Sequence, residues 1–327
     1  MKKLLLASTA LLGFASVAAA ETGVTISGFG RFGLTYQEDR YSDVNSNGIF
    51  DAGDVLTNQA QVHTRLRFNI DATTETDSGV TFGGRIRIQD SNDGGAGLSP
   101  ALLYVSYEGL RVEVGNANTA FDSAALLYDS ELGLVDSSFG DSRSSFFSFA
   151  TDSYSANRMG VFASYTMSGF SGKISFITPD QTTSTAVNEE VSVALSYESD
   201  LFSASAAAAQ DASGIAGNDV WFIGGAYKGL PNTVIGLNYI DEGIETNALS
   251  PTAGASLGST VVLYANYVMG ATTLKGYVAN NDYVANATDT SFGIGADYDL
   301  GGAKLTGGVQ RGYDENMYAD FGVRFDF

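Results

Sequence analysis

The chain has no cysteine, one tryptophan, one histidine and four prolines in 327 residues. Without cysteine, neither a disulfide framework nor thiol chemistry is available. Packing, hydrogen bonds or ions must hold the fold. Basic residues are also scarce, with 17 Lys and Arg against 37 Asp and Glu and a formal charge of −20. Such a balance disfavours nucleic acid and anionic surfaces as partners. Past the first residues, no stretch approaches the ~20 apolar residues of a membrane helix. No break in composition marks a linker. The lone His63 has no convergent nucleophile beside it, which argues against an enzyme and makes it a polar wall residue.

What the chain has instead is 39 Gly, 20 Phe and 17 Tyr at a mean hydropathy near zero. That composition, with alternating polarity, suggests a β protein whose two faces meet different solvents. Residues 1–20 read as a secretory signal peptide. Lys2 and Lys3 form the basic start, Leu4 to Val17 the apolar run, and Ala18-Ala19-Ala20 the small-residue cleavage site. Residues 21–327 are then expected to form one domain.

Alternation is plainest from Gln61 to Asp71. Gln61, His63, Arg65, Arg67, Asn69 and Asp71 fall on one face, and Val62, Leu66, Phe68 and Ile70 on the other. Residues 80–88 and 24–36 repeat the pattern. Thirteen further candidates follow, near 102–107, 111–115, 158–167, 173–178, 191–197, 202–210, 220–227, 234–240, 260–269, 273–279, 291–298, 304–310 and 318–327. Sixteen strands, an even number, fit a closed antiparallel barrel with both termini on one side. The weakest alternation is FSASAAAAQ at 202–210. Turns such as Glu108-Gly109-Leu110 and Ser168-Gly169-Phe170 alternate with longer polar loops, as in a transmembrane barrel. The last strand ends in Phe327, with Ala319, Phe321, Val323 and Phe325 on the same face. Export plus an aromatic outward face points to an all-β, sixteen-stranded antiparallel transmembrane β-barrel in the outer membrane of a Gram-negative cell.

One segment breaks the pattern. Residues 116–157 are too long for an ordinary connection. They carry Asp122, Asp129, Glu131, Asp136, Asp141 and Asp152 against one base, Arg143, together with an apolar run at 124–128. Such a loop needs a surface, and the inside of the barrel supplies one. Arg31, Arg65, Arg67, Arg85 and Arg87 lie on the polar faces of the first three strands. Strands stand ~4.8 Å apart and same-face neighbours ~6.7 Å apart, so these bases form one compact patch. The expectation is an acidic inward-folded loop, led by Asp122, Asp129, Glu131 and Asp136, facing an arginine wall across a narrow opening. Polar solutes pass by size first and charge second.

A second candidate site is the stretch 43–54. Asp43, Asn45, Asn47, Asp51 and Asp54 present oxygen side chains at calcium-loop positions 1, 3, 5, 9 and 12, and Ile49 offers a carbonyl at position 7. The last ligand is Asp in place of the usual Glu. Calcium is the one ligand this pattern suggests, and no cofactor is required.

The runs GFGRFGLTYQEDR (28–40), TTETDSGVTFGGRIR (73–87), GNANTAFDSAALLYDSELGL (115–134), SSFGDSRSSFF (137–147), GATTLKGYV (270–278), GIGADY (293–298) and GVRFDF (322–327) resemble the general diffusion porins of Rhodobacter-type α-proteobacteria. The likeness is scattered over all of 21–327. It implies a sixteen-stranded homotrimeric barrel in lipid and lipopolysaccharide. Its third long loop, here 116–157, narrows the lumen, and calcium sits near the constriction. The Asp/Asn/Gly-rich first loop is no hallmark of that family. A substrate-specific outer-membrane channel is the alternative, and a plugged structural barrel a further one.

Overall fold

The structure is a computed structural model that describes residues 23–48, 50–92, 95–141, 159–178 and 188–327. The signal-peptide reading of 1–20 lies outside the described residues, as do Ile49, Arg143, Asp152 and the end of the long loop at 142–158.

Sixteen strands close into one antiparallel barrel. In chain order they are β1 (Gly23–Gln37), β2 (Ala60–Glu75), β3 (Thr81–Ser91), β4 (Leu102–Tyr107), β5 (Leu110–Gly115), β6 (Met159–Met167), β7 (Phe170–Thr178) and β8 (Glu190–Glu198). The second half is β9 (Phe202–Gln210), β10 (Val220–Leu230), β11 (Thr233–Asp241), β12 (Ser259–Met269), β13 (Thr272–Asn281), β14 (Thr290–Asp299), β15 (Ala303–Arg311) and β16 (Met317–Asp326). Each pairs with its sequence neighbour, and β16 pairs back onto β1 with Arg31 opposite Arg324. Closure leaves no sheet edge along the seam, which lipid could not satisfy. A two-residue pairing of Tyr41–Ser42 with Val55–Leu56 lies within the first long loop.

The tight turns follow from residue choice. Glu108-Gly109 and Ser168-Gly169 each place both central residues at positive φ. That is the I′ geometry whose twist matches a two-residue hairpin. These turns share one rim with the first described residue, Gly23, and with Phe327. The long loops share the other.

Period-two alternation separates the faces. Val24, Ile26, Phe32 and Leu34 of β1 point outward and are exposed, as are Ile223, Leu237, Leu263, Ile294 and Phe321 around the wall. Such an apolar belt is suited to lipid. Over the outward glycines Gly28 and Gly30 lie the rings of Phe327 and Phe325.

The buried apolar core is not between two sheets. It lies between the inner wall and the long loop after β5. Phe121, Ala124 and Leu127 of the loop cluster with Leu102, Phe162, Ala194, Ala207, Ala209, Phe222 and Ile240 of the wall. Leu132 forms a second cluster with Val262, Tyr264, Tyr277 and Tyr313, and Phe139 packs on it. The weakly alternating β9 now has a physical reason. Its inward residues are Ser203, Ser205, Ala207 and Ala209, all buried. Small side chains there leave room for the loop to lie on the wall.

Candidate functional site

The chain turns inward at Gly115, whose φ of 101° is a left-handed value that favours glycine. The N–H of Asn116 donates to the Ala101 carbonyl at 2.9 Å and anchors the turn. From there the loop follows the inner wall, with a wall side chain meeting its backbone at each step. Ser175 Oγ on β7 accepts from the Ala120 N–H at 2.8 Å, and Ser192 Oγ on β8 from Phe121 at 3.2 Å. Lys173 donates to the Ser123 carbonyl. Asn238 on β11 donates to Leu126 O at 2.7 Å. Asp320 on β16 accepts from the N–H groups of Leu134 at 2.8 Å and Val135 at 3.2 Å. The loop thus crosses the inner wall from β7 to the β16–β1 seam, next to the lumen face of β1–β3.

That face carries the bases. Cross-strand register sets Arg324, Arg31 and Arg65 side by side on β16, β1 and β2. One same-face step along β2 stands Arg67. The Gln89 side-chain carbonyl accepts from Arg65 at 2.9 Å and from Arg67 at 2.7 Å. Beneath both guanidiniums lies the Phe29 ring, 5.3 and 5.1 Å from their central carbons. An aromatic face and a shared acceptor offset part of the mutual repulsion of the row. Arg87 continues the row toward the short-turn rim.

Two features differ from the sequence expectation. Arg85 belongs to an ion pair with Asp71 at 2.7 Å, because the β2–β3 register sets the two directly opposite. It is therefore neutralised by the wall and not by the loop. The four loop acids also have separate partners. Asp136 alone touches the arginine row, pairing with Arg324 and lying 3.6 Å from Arg31. Asp122 accepts from Tyr128 at 2.5 Å, and Asp129 from Tyr264 on β12 at 3.3 Å. The Glu131 backbone carbonyl accepts from Lys275 at 3.4 Å. The loop follows the wall, so successive acids meet successive strands rather than one patch. Residues that the sequence reading did not single out are Arg324, Phe29, Gln89, Asp320, Lys173 and Lys275. Barrel closure makes β16 the neighbour of β1, and that was the available signal for Arg324.

Glu131 and Asp141 sit together on the loop, and Asp141 accepts from Ser130 Oγ at 2.6 Å. Burial, then the nearby charges of Asp141 and Asp136, push the Glu131 carboxyl up to about 9, against the pull of Lys275 and Arg324. Asp141 is pushed up as well, by burial first and then by Glu242 and Asp136. His63 lies on the lumen face, with Nδ1 3.1 Å from Asn92 Nδ2.

In the first loop, Asp43 accepts from the N–H groups of Asn47 at 3.2 Å and Gly48 at 2.7 Å. Asp54 accepts from Val44 and Asp51, each at 2.9 Å. The amides of Asn45 and Asn47 donate to the Asp51 carboxylate. Among the described residues no three His, Cys, Asp or Glu side chains gather closely enough to hold a metal. Asn247 Nδ2, in the loop after β11, donates to Ser46 O at 2.9 Å, so the first loop reaches across the mouth.

The model of a family described as Gram-negative porin matches residues 7–316. A porin of Fuscovulum blasticum is 43% identical over 314 residues, 93% of this chain and 100% of that one. An engineered Rhodopseudomonas blastica porin superposes with a TM-score of 0.81 at 40% identity, over 93% of this chain and 100% of the other. A second variant of the Rh. blastica porin gives 0.81 at 41% identity with the same coverage.

The raised Glu131 carboxyl makes the site sensitive to alkaline pH. Between the ordinary carboxylate range and about 9, the folded chain keeps a proton that the unfolded chain has released, so this group's contribution to stability falls as pH rises. Ionisation near the top of that window adds negative charge to the loop. Cation preference, read from reversal potentials in a salt gradient, should therefore rise between about pH 7 and about pH 10. The titration belongs to the Glu131–Asp141 pair, so that rise should be much reduced in Glu131→Gln/Asp141→Asn; an equal rise in both proteins contradicts the assignment.

Proposed function

Because this chain belongs to the Gram-negative porin family, we propose that its outer-membrane barrel passes small hydrophilic solutes and ions through an opening between the loop and the arginine wall. The observation that carries this reading is the contact of Asp136 with Arg31 and Arg324. It pins the loop to the wall at one edge and leaves the lumen face beside Arg65, Arg67 and Arg87 to line the path. Acids on one side and guanidiniums on the other set a transverse field. Screening acts over ~8 Å at physiological ionic strength, comparable with a narrow opening, so the field persists across it. A polar solute can align with that field and keep its hydrogen bonds, whereas an apolar one must displace ordered water uncompensated. No bond is made or broken, and the chain is a channel rather than an enzyme.

Three finer readings are proposals too. Residues 1–20 act as an export signal, by their basic, apolar and small-residue order. A homotrimer in lipid and lipopolysaccharide is proposed on family membership. Calcium is proposed for the 43–54 loop, supported by the spacing of its oxygen side chains. A bound ion would compete there with the loop's own N–H donors for Asp43, Asp51 and Asp54.

In planar bilayers the purified protein should give large ohmic current steps in simple salt. Neutralising Asp129 and Asp136 together should shift the reversal potential in a salt gradient toward anions, and adding Glu131→Gln should deepen the shift only at alkaline pH, where that carboxyl is ionised. Replacing Arg65, Arg67 and Arg87 should shift it toward cations and raise the conductance. Unmoved potentials in both sets would remove these residues from the ion path. For calcium, titration calorimetry should show saturable heat that is absent in Asp43→Ala/Asp54→Ala; equal uptake by both proteins sinks the site.

A further inference from the structure

Above the arginine row, on the long-loop side, the lumen wall and the loop enclose a cavity of about 370 Å³. That is within the ~300–1,000 Å³ typical of small-molecule sites. Its chemistry differs from that of the constriction below. Strand register sets Gln37 opposite Tyr318, Thr35 opposite Gln61, and Gln310 opposite Tyr318. Gln59 stands beside Gln37, its backbone carbonyl accepting the Gln37 N–H at 3.0 Å. Four glutamines thus line one small space. Gln310 is taken up by wall and loop, and Gln59 Oε1 accepts from Tyr36 OH at 3.2 Å. The amides of Gln37 and Gln61 are therefore the ones placed to meet a solute, each able to donate and accept. The apolar side is Phe139, whose ring lies 5.1 Å from that of Tyr318 at a tilt of 56°.

The lining carries one charge of each sign, Arg40 and Asp320, and both are tethered. Asp320 takes the N–H groups of Leu134, Val135 and Gly308, and Arg40 donates to Thr57 Oγ1 at 3.2 Å. Gln310 is held from both ends, accepting from Tyr277 OH at 2.8 Å and donating to Ser137 Oγ at 2.5 Å. It fixes the loop against the cavity. A site with neutral two-way hydrogen-bonding groups, one aromatic flank and charges that cancel in sign favours neither an anion nor a cation. It suits a solute that has hydroxyls on its rim and C–H groups on its face.

We propose that this cavity is a low-affinity resting site for neutral saccharides of one or two rings, occupied from the outer mouth before passage through the constriction. The proposal rests on the channel reading above and adds a solute class to it. Thr35 and Arg31 are four residues apart on β1, so the site lies roughly 13 Å from the arginine row along the tilted strand at ~3.3 Å per residue. A saccharide held there loosens from bulk water where the lumen narrows and is released downward into the charged opening. Weak binding fits the geometry, since one side of the cavity is open to the lumen.

The test is single-channel recording in simple salt with maltose added on the long-loop side. A poly(ethylene glycol) of matched hydrodynamic size serves as the control. The wild-type conductance should fall along a saturating curve with maltose and only with bulk conductivity for the polymer. In Gln61→Leu, and separately in Gln37→Leu, the half-saturating maltose concentration should rise about two- to tenfold, as expected for one lost hydrogen bond. Conductance in salt alone should be unchanged, which also reports that each variant is folded. Coincident maltose and polymer curves in the wild type, or unaltered saturation in both variants, overturn the saccharide site and leave the channel reading standing. A wild-type protein that passes no salt current contradicts the channel reading itself, and the saccharide site with it.

Discussion

Everything in this molecule depends on the closure of β16 onto β1. The N–H of Gly28 donates to Phe327 O at 2.8 Å, and Phe327 donates back to Gly28 O at 3.0 Å. In hydrocarbon an unpaired backbone group costs several kcal/mol, so an open sheet of this size is not a viable membrane structure. Once the sheet is closed, alternation has only two environments to choose between. Apolar residues go to lipid and polar ones to the lumen. The lumen then needs something other than a hydrophobic core, and the loop after β5 supplies the only large apolar packing among the described residues.

Closure also assembles the candidate site. It sets Arg324 beside Arg31 and so completes a row of guanidiniums that spans the seam. Positive charges so close are tolerable in part because four of them have specific counterparts: Asp136 for Arg31 and Arg324, Gln89 with the Phe29 ring for Arg65 and Arg67. The loop in turn is held by wall side chains that bond its backbone, among them Ser175, Ser192, Asn238 and Asp320. Packing and polar contacts therefore have separate tasks. Leu127, Leu132 and Phe121 fix the loop's depth on the wall, and the polar contacts fix its path.

The barrel was legible because lipid and water impose a two-residue period that no other constraint overrides. Even β9, the poorest pattern, lies at 202–210 as the sequence suggests. The site was legible in part. Alternation put Arg31, Arg65, Arg67 and Arg87 on polar strand faces, the export signal, the strand count and the aromatic chain end made those faces the lumen, and length and acidity singled out the loop. Register was the missing step. The turn at 76–80 pairs Glu75 with Thr81, and counting back from it sets Asp71 against Arg85. The ion pair that removes Arg85 from the loop's partners could have been found that way. The partners of Asp122 and Asp129 could not, because they depend on where a loop without regular structure lies on a wall ten strands wide. Gln37, Gln59, Gln61 and Gln310 carried no motif at all, and only the fold brings their amides into one cavity.

The central claim is that Arg65, Arg67 and Arg87, beside the point where Asp136 holds the loop to the wall, line the ion path. The absence of cysteine from the natural chain makes that directly measurable. In Arg67→Cys, a bulky thiol-reactive reagent added during bilayer recording should sharply reduce the single-channel conductance, while Leu237→Cys on the lipid face should be unaffected. Full conductance after complete modification of Arg67→Cys would contradict the account.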